Sequence, residues 1–174
     1  MNTTELPAVT LRAIEPEDLD LLYHIENDQT MWNVGTTSVP YSRYALHDYI
    51  AHASADIYAD RQVRLIVENT GGETVGIADI VDFDPQHRRA ELGIAIERSH
   101  RRKGYAQAAL RWMACYALAQ LHLHQLYVMI SADNEPSLCL FRKAGFRQTA
   151  VVHDWLYDGT DYHDGILMQM MLTD

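Results

Sequence analysis

The sequence holds only two cysteines, Cys115 and Cys139, in 174 residues, and their separation matches no metal-ligand spacing. A disulfide framework and a zinc module are therefore excluded, and a reducing compartment fits. No uncharged apolar stretch is long enough to cross a bilayer as a helix. The opening Met1 to Pro7 has neither the basic start nor the apolar run of a secretory leader, so a cytoplasmic protein away from membranes is expected. Basic residues are scarce too: 14 Lys and Arg face 24 Asp and Glu, for a formal net charge of -10. A general nucleic-acid binder needs a basic face, and this balance argues against one. Internal repeats, linkers and low-complexity segments are also lacking. One mixed α/β domain over residues 1–174 is expected.

What remains is an ordinary globular composition, 48% hydrophobic and 22% charged, enough to bury a core. The charge is unevenly spread. From Ala13 to Ser42 there are six acids and no Lys or Arg, and from Gln148 to the end there are five acids and again no Lys or Arg. Between them, Arg88, Arg89, Arg98, Arg101, Arg102 and Lys103 form the densest basic stretch. For any one of these residues a solvated surface is the simplest account.

Period and punctuation suggest the elements. A short strand over Val9 to Ala13 precedes a helix opened by Pro16 and ended by Asn27 and Asp28. Met31 to Tyr41 reads as a loop, and a second helix is expected from Ser42 to Ala59. Alternation from Val63 to Val67, a Gly71-Gly72 turn and extended residues Thr74 to Asp84 predict a hairpin. Ala90 to Ile96 is a mostly apolar strand in which Glu91 and Gly93 stand out. A long Ala-rich helix should run from Gly104 to Leu121, then a strand over Leu126 to Ile130 and a helix over Glu135 to Ala144 closed by Gly145. Two last strands between Arg147 and Leu172 turn at Asp158-Gly159.

The chemically informative segment is strand, then Arg101-Arg102-Lys103-Gly104-Tyr105-Ala106, then helix. Unpaired N–H groups and the positive dipole end of a helix start attract an anion, and a glycine lets a phosphate come close. The competing account is a solvated basic helix start. This segment resembles motif A of the GNAT superfamily, the acetyl-CoA-dependent N-acetyltransferases. The resemblance continues in Asn134-Glu135-Pro136-Ser137 and in Phe141-Arg142-Lys143-Ala144-Gly145-Phe146. Within the superfamily the chain is similar to bacterial spermidine N-acetyltransferases, which share Arg88-Arg89-Ala90-Glu91, and to ribosomal-protein N-terminal acetyltransferases.

The resemblance implies a single GNAT-like α/β domain, with a central mixed, mostly antiparallel sheet flanked by helices. It implies acetyl-CoA as cosubstrate, with the backbone of Gly93, Ile94, Ala95 and Ile96 beside the pantetheine arm. Arg101, Arg102, Lys103, Gly104, Tyr105, Ala106 and Gln107 would wrap the pyrophosphate, and Asn134 and the helix carrying Phe141 would flank the cofactor. It also implies a homodimer or higher homo-oligomer.

Transfer to an amine needs a neutral amine, a polarised carbonyl and a departing thiolate. Glu91 is the candidate base, since burial raises a carboxyl pKa toward the working pH; a strand-end ion pair with Arg88 or Arg89 is the alternative. Many family members have Tyr where this chain has Phe141, which cannot donate a proton; Ser137 is the substitute donor, or else a helix-start cap. Cys139 reads as a small buried residue. Nine histidines include one close pair, His122 and His124, without zinc-motif spacing, so no metal is expected. His153, Asp154, Trp155 and Tyr157 are candidates for the acceptor side. The segments implied to receive the acceptor are the acidic ones, which fits a polyamine, another small cationic amine, or a peptide N-terminus. The acidic pair that spermidine enzymes carry before Pro-Tyr is Ser38-Val39 here. A non-catalytic acyl-CoA-binding module is the other reading.

Overall fold

A computed structural model describes residues 5–29, 39–54 and 56–173. The strands are β1 (Val9–Ala13), β2 (Val63–Asn69), β3 (Thr74–Asp84), β4 (Arg89–Ile96), β5 (Gln125–Ser131), β6 (Arg147–Tyr157) and β7 (Tyr162–Met171). The helices are α1 (Leu19–Glu26), α2 (Arg43–Ala51), α3 (Ile57–Asp60), α4 (Tyr105–Ala119) and α5 (Glu135–Ala144). All seven strands form one sheet in the order β1-β2-β3-β4-β5-β7-β6. Each neighbouring pair is antiparallel except β4 with β5, whose parallel pairing is bridged by α4. The expected mixed, mostly antiparallel sheet is the architecture found.

Side-chain alternation divides the core between the two faces of this sheet. Leu22 of α1 and Leu46 of α2 pack on Ile66 and Ile77. On the opposite face, Leu110 and Met113 of α4 and Leu138 and Phe141 of α5 pack on Ala78, Ile80, Leu92 and Leu126. The predicted apolar stripe of the Ala-rich helix is this buried face, with Ala109, Leu110, Met113 and Ala117 all inaccessible.

Two expected helices differ. The first begins as a 3-10 turn over Pro16–Asp18 before α1. Its tight start follows from Asp18, whose buried carboxylate takes the Arg12 guanidinium at 2.7 and 2.9 Å and the Glu15 N–H at 2.8 Å. The second does not run from Ser42 to Ala59: α2 stops at Ala51 and α3 restarts at Ile57. Asp56 accepts from the N–H groups of Tyr58 and Ala59, and Ser54 Oγ accepts from the Asp56 N–H. Such local side-chain bonds compete with helical ones and restart the chain in a new direction. Ile57 accordingly joins the core on the other face. Most of the expected Met31–Tyr41 loop, with Ser38, lies outside the described residues.

Candidate active site

The central irregularity of the sheet is where β4 meets β5. They pair through three couples only, Arg89 with Gln125, Ala90 with Leu126 and Glu91 with Tyr127. β4 stays bonded to β3 out to Ile96, and β5 stays bonded to β7 out to Ser131. The two strands therefore splay beyond Glu91, leaving the β4 edge from Leu92 onward open toward β5. A groove of about 870 Å³ fills this gap, with Ile94, Ala95 and Ile96 along one side and Ser131, Asn134 and Ser137 along the other.

One end of the groove is formed by Arg101, Arg102 and Gly104 through Gln107. α4 starts here, so the N–H groups of its first turn have no helical carbonyl to bond and face the groove end with the positive pole of a 15-residue helix. Gly104 is the N-cap, at φ +88°. A Cβ there would lie 2.9 Å from Pro7 Cδ, which shows that this glycine serves its left-handed backbone and the packing of the N-terminal segment. Gly104 itself also lines the groove. Arg101 lines this end and is also engaged by the protein itself. Its Nε donates to the Ile96 carbonyl at 2.9 Å and its Nη2 reaches Asp28 Oδ2 at 3.2 Å, tying the end of β4 to the end of α1. Arg102 is exposed at the groove, whereas Lys103 is exposed outside its lining. His100 braces the same end, 3.1 Å from Glu97 and 3.2 Å from Glu73 in the β2–β3 turn.

Across the groove, Asn134 caps α5, its Oδ1 accepting from the Ser137 N–H at 3.2 Å. The cap is thus Asn134 and not Ser137, and among the described residues no hydrogen bond takes up the Ser137 hydroxyl. Helical spacing puts Pro136, Ser137, Leu140 and Lys143 on the groove face, with Cys139 at its edge. Leu138 and Phe141 fall on the opposite face. Phe141 is 2% exposed and packs edge-on against Phe146, so its placement among the cofactor contacts is corrected: it belongs to the core. Gln107 Nε2 donates to the Lys143 carbonyl at 3.5 Å, joining the two helices that flank the groove.

Glu91 stands at the fork. Register places Glu91, Gly93 and Ala95 on the α1–α2 face of the sheet and Leu92, Ile94 and Ile96 on the α4–α5 face. Gly93 and Glu91 therefore lie outside the lining of the groove, beside its inner end. Glu91 Oε1 accepts from the Met129 N–H at 3.4 Å, a donor on β5 just past the last paired couple. Burial pushes the Glu91 carboxyl above its usual range, opposed by the Met129 N–H and reinforced by the charge of Asp82. The alternative ion pair is not formed: Arg88 donates to the His122 carbonyl at 2.6 Å and Arg89 pairs with Asp84 at 3.5 Å. Burial and the neighbouring Glu91 charge also raise Tyr127.

The same face is acidic. Arg64 is held by Asp79 at 2.8 and 2.9 Å and by Glu26 at 2.5 Å, while Asp82 and Glu91 add two further carboxyl groups. Elsewhere on this face Arg89 pairs with Asp84, and Arg12 with Asp18 and Glu68, so the acids outnumber the guanidinium groups. His153 pairs with Asp164 at 3.0 Å, and Trp155 and Tyr157 are exposed on the last hairpin. Asp154 is strained at φ +50° in the bulged part of β6.

Sequence reasoning missed His100, Asp133, Asp158 and His163 on the groove wall. Each is an isolated polar residue whose role depends on partners up to 30 positions away, as with His163 and Asp133. Only Asp158 carried a local signal, at the turn it caps through the N–H groups of Thr160 and Asp161.

The chain is similar to known proteins in sequence and in fold. The spermidine N(1)-acetyltransferase of Escherichia coli (strain K12) is 28% identical over 166 residues, covering 92% of this chain and 84% of that one. A putative ribosomal N-acetyltransferase of Bacillus subtilis (strain 168) is 26% identical over 170 residues, covering 94% and 91%. The crystal structure of the Vibrio cholerae spermidine N-acetyltransferase, in complex with CoA and spermine, superposes with a TM-score of 0.86 at 22% identity, covering 94% and 95%. Residues 8–147, which span every strand from β1 to β5, both groove helices and the fork between β4 and β5, match the acetyltransferase (GNAT) domain, and the chain belongs to that family.

Proposed function

We propose that this chain transfers an acetyl group from acetyl-CoA to a primary amine of a polyamine or similar small cationic amine, by direct attack. The observation that carries this reading is the fork between β4 and β5, which joins a groove with a cationic end to an acidic face of the sheet. The groove suits the donor: its volume fits an extended ligand, and its N–H-rich end suits a pyrophosphate. Acetyl-CoA supplies an acyl group on a thiol leaving group. The backbone of Gly93 to Ile96 and Asn134 would hold the pantetheine, and Arg102, Gly104, Tyr105, Ala106 and Gln107 the phosphates. Lys103 would add charge from outside the groove lining.

On the other face, Glu26, Asp79, Asp82 and Glu91 draw in an ammonium group. Glu91 takes the proton that must leave before nitrogen attacks, directly or through a water, and its raised pKa suits this transfer. Ser137, with its hydroxyl at the groove, returns a proton to the departing sulfur. The Escherichia coli and Vibrio cholerae proteins support a polyamine as acceptor. A homo-oligomer fits the exposed Trp155, Tyr157 and Tyr162 on the terminal hairpin.

Acetylation of an amine panel, followed by mass spectrometry, tests the reading. Acetylated spermidine or spermine is expected. Product from N-terminal peptides alone, or from no amine, would contradict it. Arg102→Ala is expected to weaken acetyl-CoA binding about 3- to 10-fold, an effect that shrinks as salt is raised because the charge is exposed. Titration calorimetry at two ionic strengths reads both.

A further inference from the structure

The groove has a second wall that the transfer chemistry leaves unused. The His163 ring lies between two carboxylates from different parts of the chain, with Nδ1 2.5 Å from Asp133 Oδ2 and Nε2 2.8 Å from Asp158 Oδ2. Asp133 lies between β5 and α5, one residue before the α5 cap Asn134. Asp158 sits in the β6–β7 turn, where its other oxygen organises the N–H groups of Thr160 and Asp161. His163, Asp133 and Asp158 all line the groove. A backbone bond runs parallel to the clamp, from the Ala132 N–H to the Asp164 carbonyl at 2.9 Å. The terminal hairpin is thus fastened to the short segment that sets the start of α5.

We propose that His163 is a positioning residue for the acetyl-CoA groove: bridging Asp133 and Asp158, it holds the hairpin against the segment before Asn134 and fixes the wall that Asn134 and Ser137 occupy. The inference rests on the reading of the groove as the acetyl-CoA site. Bonding both carboxylates requires both ring nitrogens to carry hydrogen, so the clamp needs imidazolium. The carboxylates, Asp158 first and then Asp133, raise the His163 pKa, and they are the charged groups that face the ring. The nearby His153–Asp164 pair is a separate contact within the hairpin. Because the folded pKa is raised, the clamp is complete below the ordinary imidazole value of about 6.5 and is lost as pH rises through the higher folded value. A neutral ring keeps a donor for one carboxylate only.

Two variants and two readouts test this. Asp133→Asn changes an exposed side chain, 73% accessible, and leaves the Asp158 turn intact, so it folds even where His163→Gln perturbs the hairpin. Both variants are expected to bind desulfo-CoA about tenfold more weakly at pH 6.5, to raise the KM for acetyl-CoA with little change in kcat, and to speed exchange of the Ala132 amide. Wild-type affinity should fall toward that of His163→Gln as pH rises through the raised His163 pKa, and the variant should stay nearly flat. Wild-type affinity in both variants, or a loss in His163→Gln with Asp133→Asn unchanged, overturns the proposal. The Ala132 exchange rate reads the clamp without any ligand, so an unchanged rate overturns it even where desulfo-CoA binds. Failure of desulfo-CoA to bind the wild-type chain would instead reject the groove assignment, and this inference with it.

Discussion

Glu91→Gln is expected to lower kcat by about 10²- to 10⁴-fold, the usual range for a general base, while the protein stays folded. Glutamine keeps the size of the side chain and can still meet the Met129 N–H that Glu91 accepts at 3.4 Å. What it loses is the ability to take a proton. The pH profile adds a second signature. Burial raises the Glu91 pKa, so wild-type activity should climb as pH rises through that value and the carboxylate forms; the residual activity of Glu91→Gln should lack this limb. Stability should move the other way. A carboxyl with a raised folded pKa destabilises the fold once pH exceeds its unfolded value of about 4.3, so at neutral pH the variant is expected to melt at the same temperature or higher. A variant that is inactive and no less stable identifies a residue kept for chemistry. Thermal melts and initial rates between pH 5 and 9 measure both, and a large loss of stability with little loss of rate would return Glu91 to a structural role.

Gly104→Ala is expected to act on stability and on acetyl-CoA binding together. Gly104 holds φ +88°, where an L-residue is strained by about 1–2 kcal/mol, and its new Cβ would lie 2.9 Å from Pro7 Cδ. Relief requires turning the first residues of α4 or displacing the N-terminal segment. Either movement disturbs the N–H groups that point into the cationic end of the groove. We expect a loss of about 2 kcal/mol in unfolding free energy and at least tenfold weaker acetyl-CoA binding, read by denaturant titration and calorimetry. Normal binding by a destabilised variant would show that the helix start does not hold the phosphates.

These two residues also show how much the sequence discloses. Gly104 was legible because a glycine between a strand, a basic run and an Ala-rich helix is a local pattern with a local cause. Its dependence on Pro7 was not, since nothing in the chain near Gly104 records what packs there from 97 positions away. Glu91 stood out as a carboxylate in an apolar strand. Its freedom from Arg88 and Arg89 depends on the His122 carbonyl and Asp84, which take those arginines after folding. Phe141 was misplaced because flanking a cofactor is a property of a helix and facing it is a property of one side of that helix. Leu138 and Phe141 share the buried side, and Ser137 and Leu140 the open one. Arg101 keeps its place at the groove end, but its engagement by Asp28, 73 positions away, leaves no trace in the local sequence. The break between α2 and α3 was hidden because Leu46, Ile50 and Ile57 keep a helical spacing although Ile57 serves another core.

On the proposed reading, donor and acceptor approach the β4–β5 fork from opposite sides, one held by the N–H-rich groove end and the other by the acidic face. A crystal structure with CoA and spermine bound together tests it most directly. The pyrophosphate is expected on the backbone of Gly104 to Gln107, the pantetheine along Gly93 to Ile96, and an amine nitrogen beside Glu91 on the face of Asp79 and Asp82. A pyrophosphate away from the start of α4, or an amine bound far from Glu91 with the acidic face unused, would contradict it.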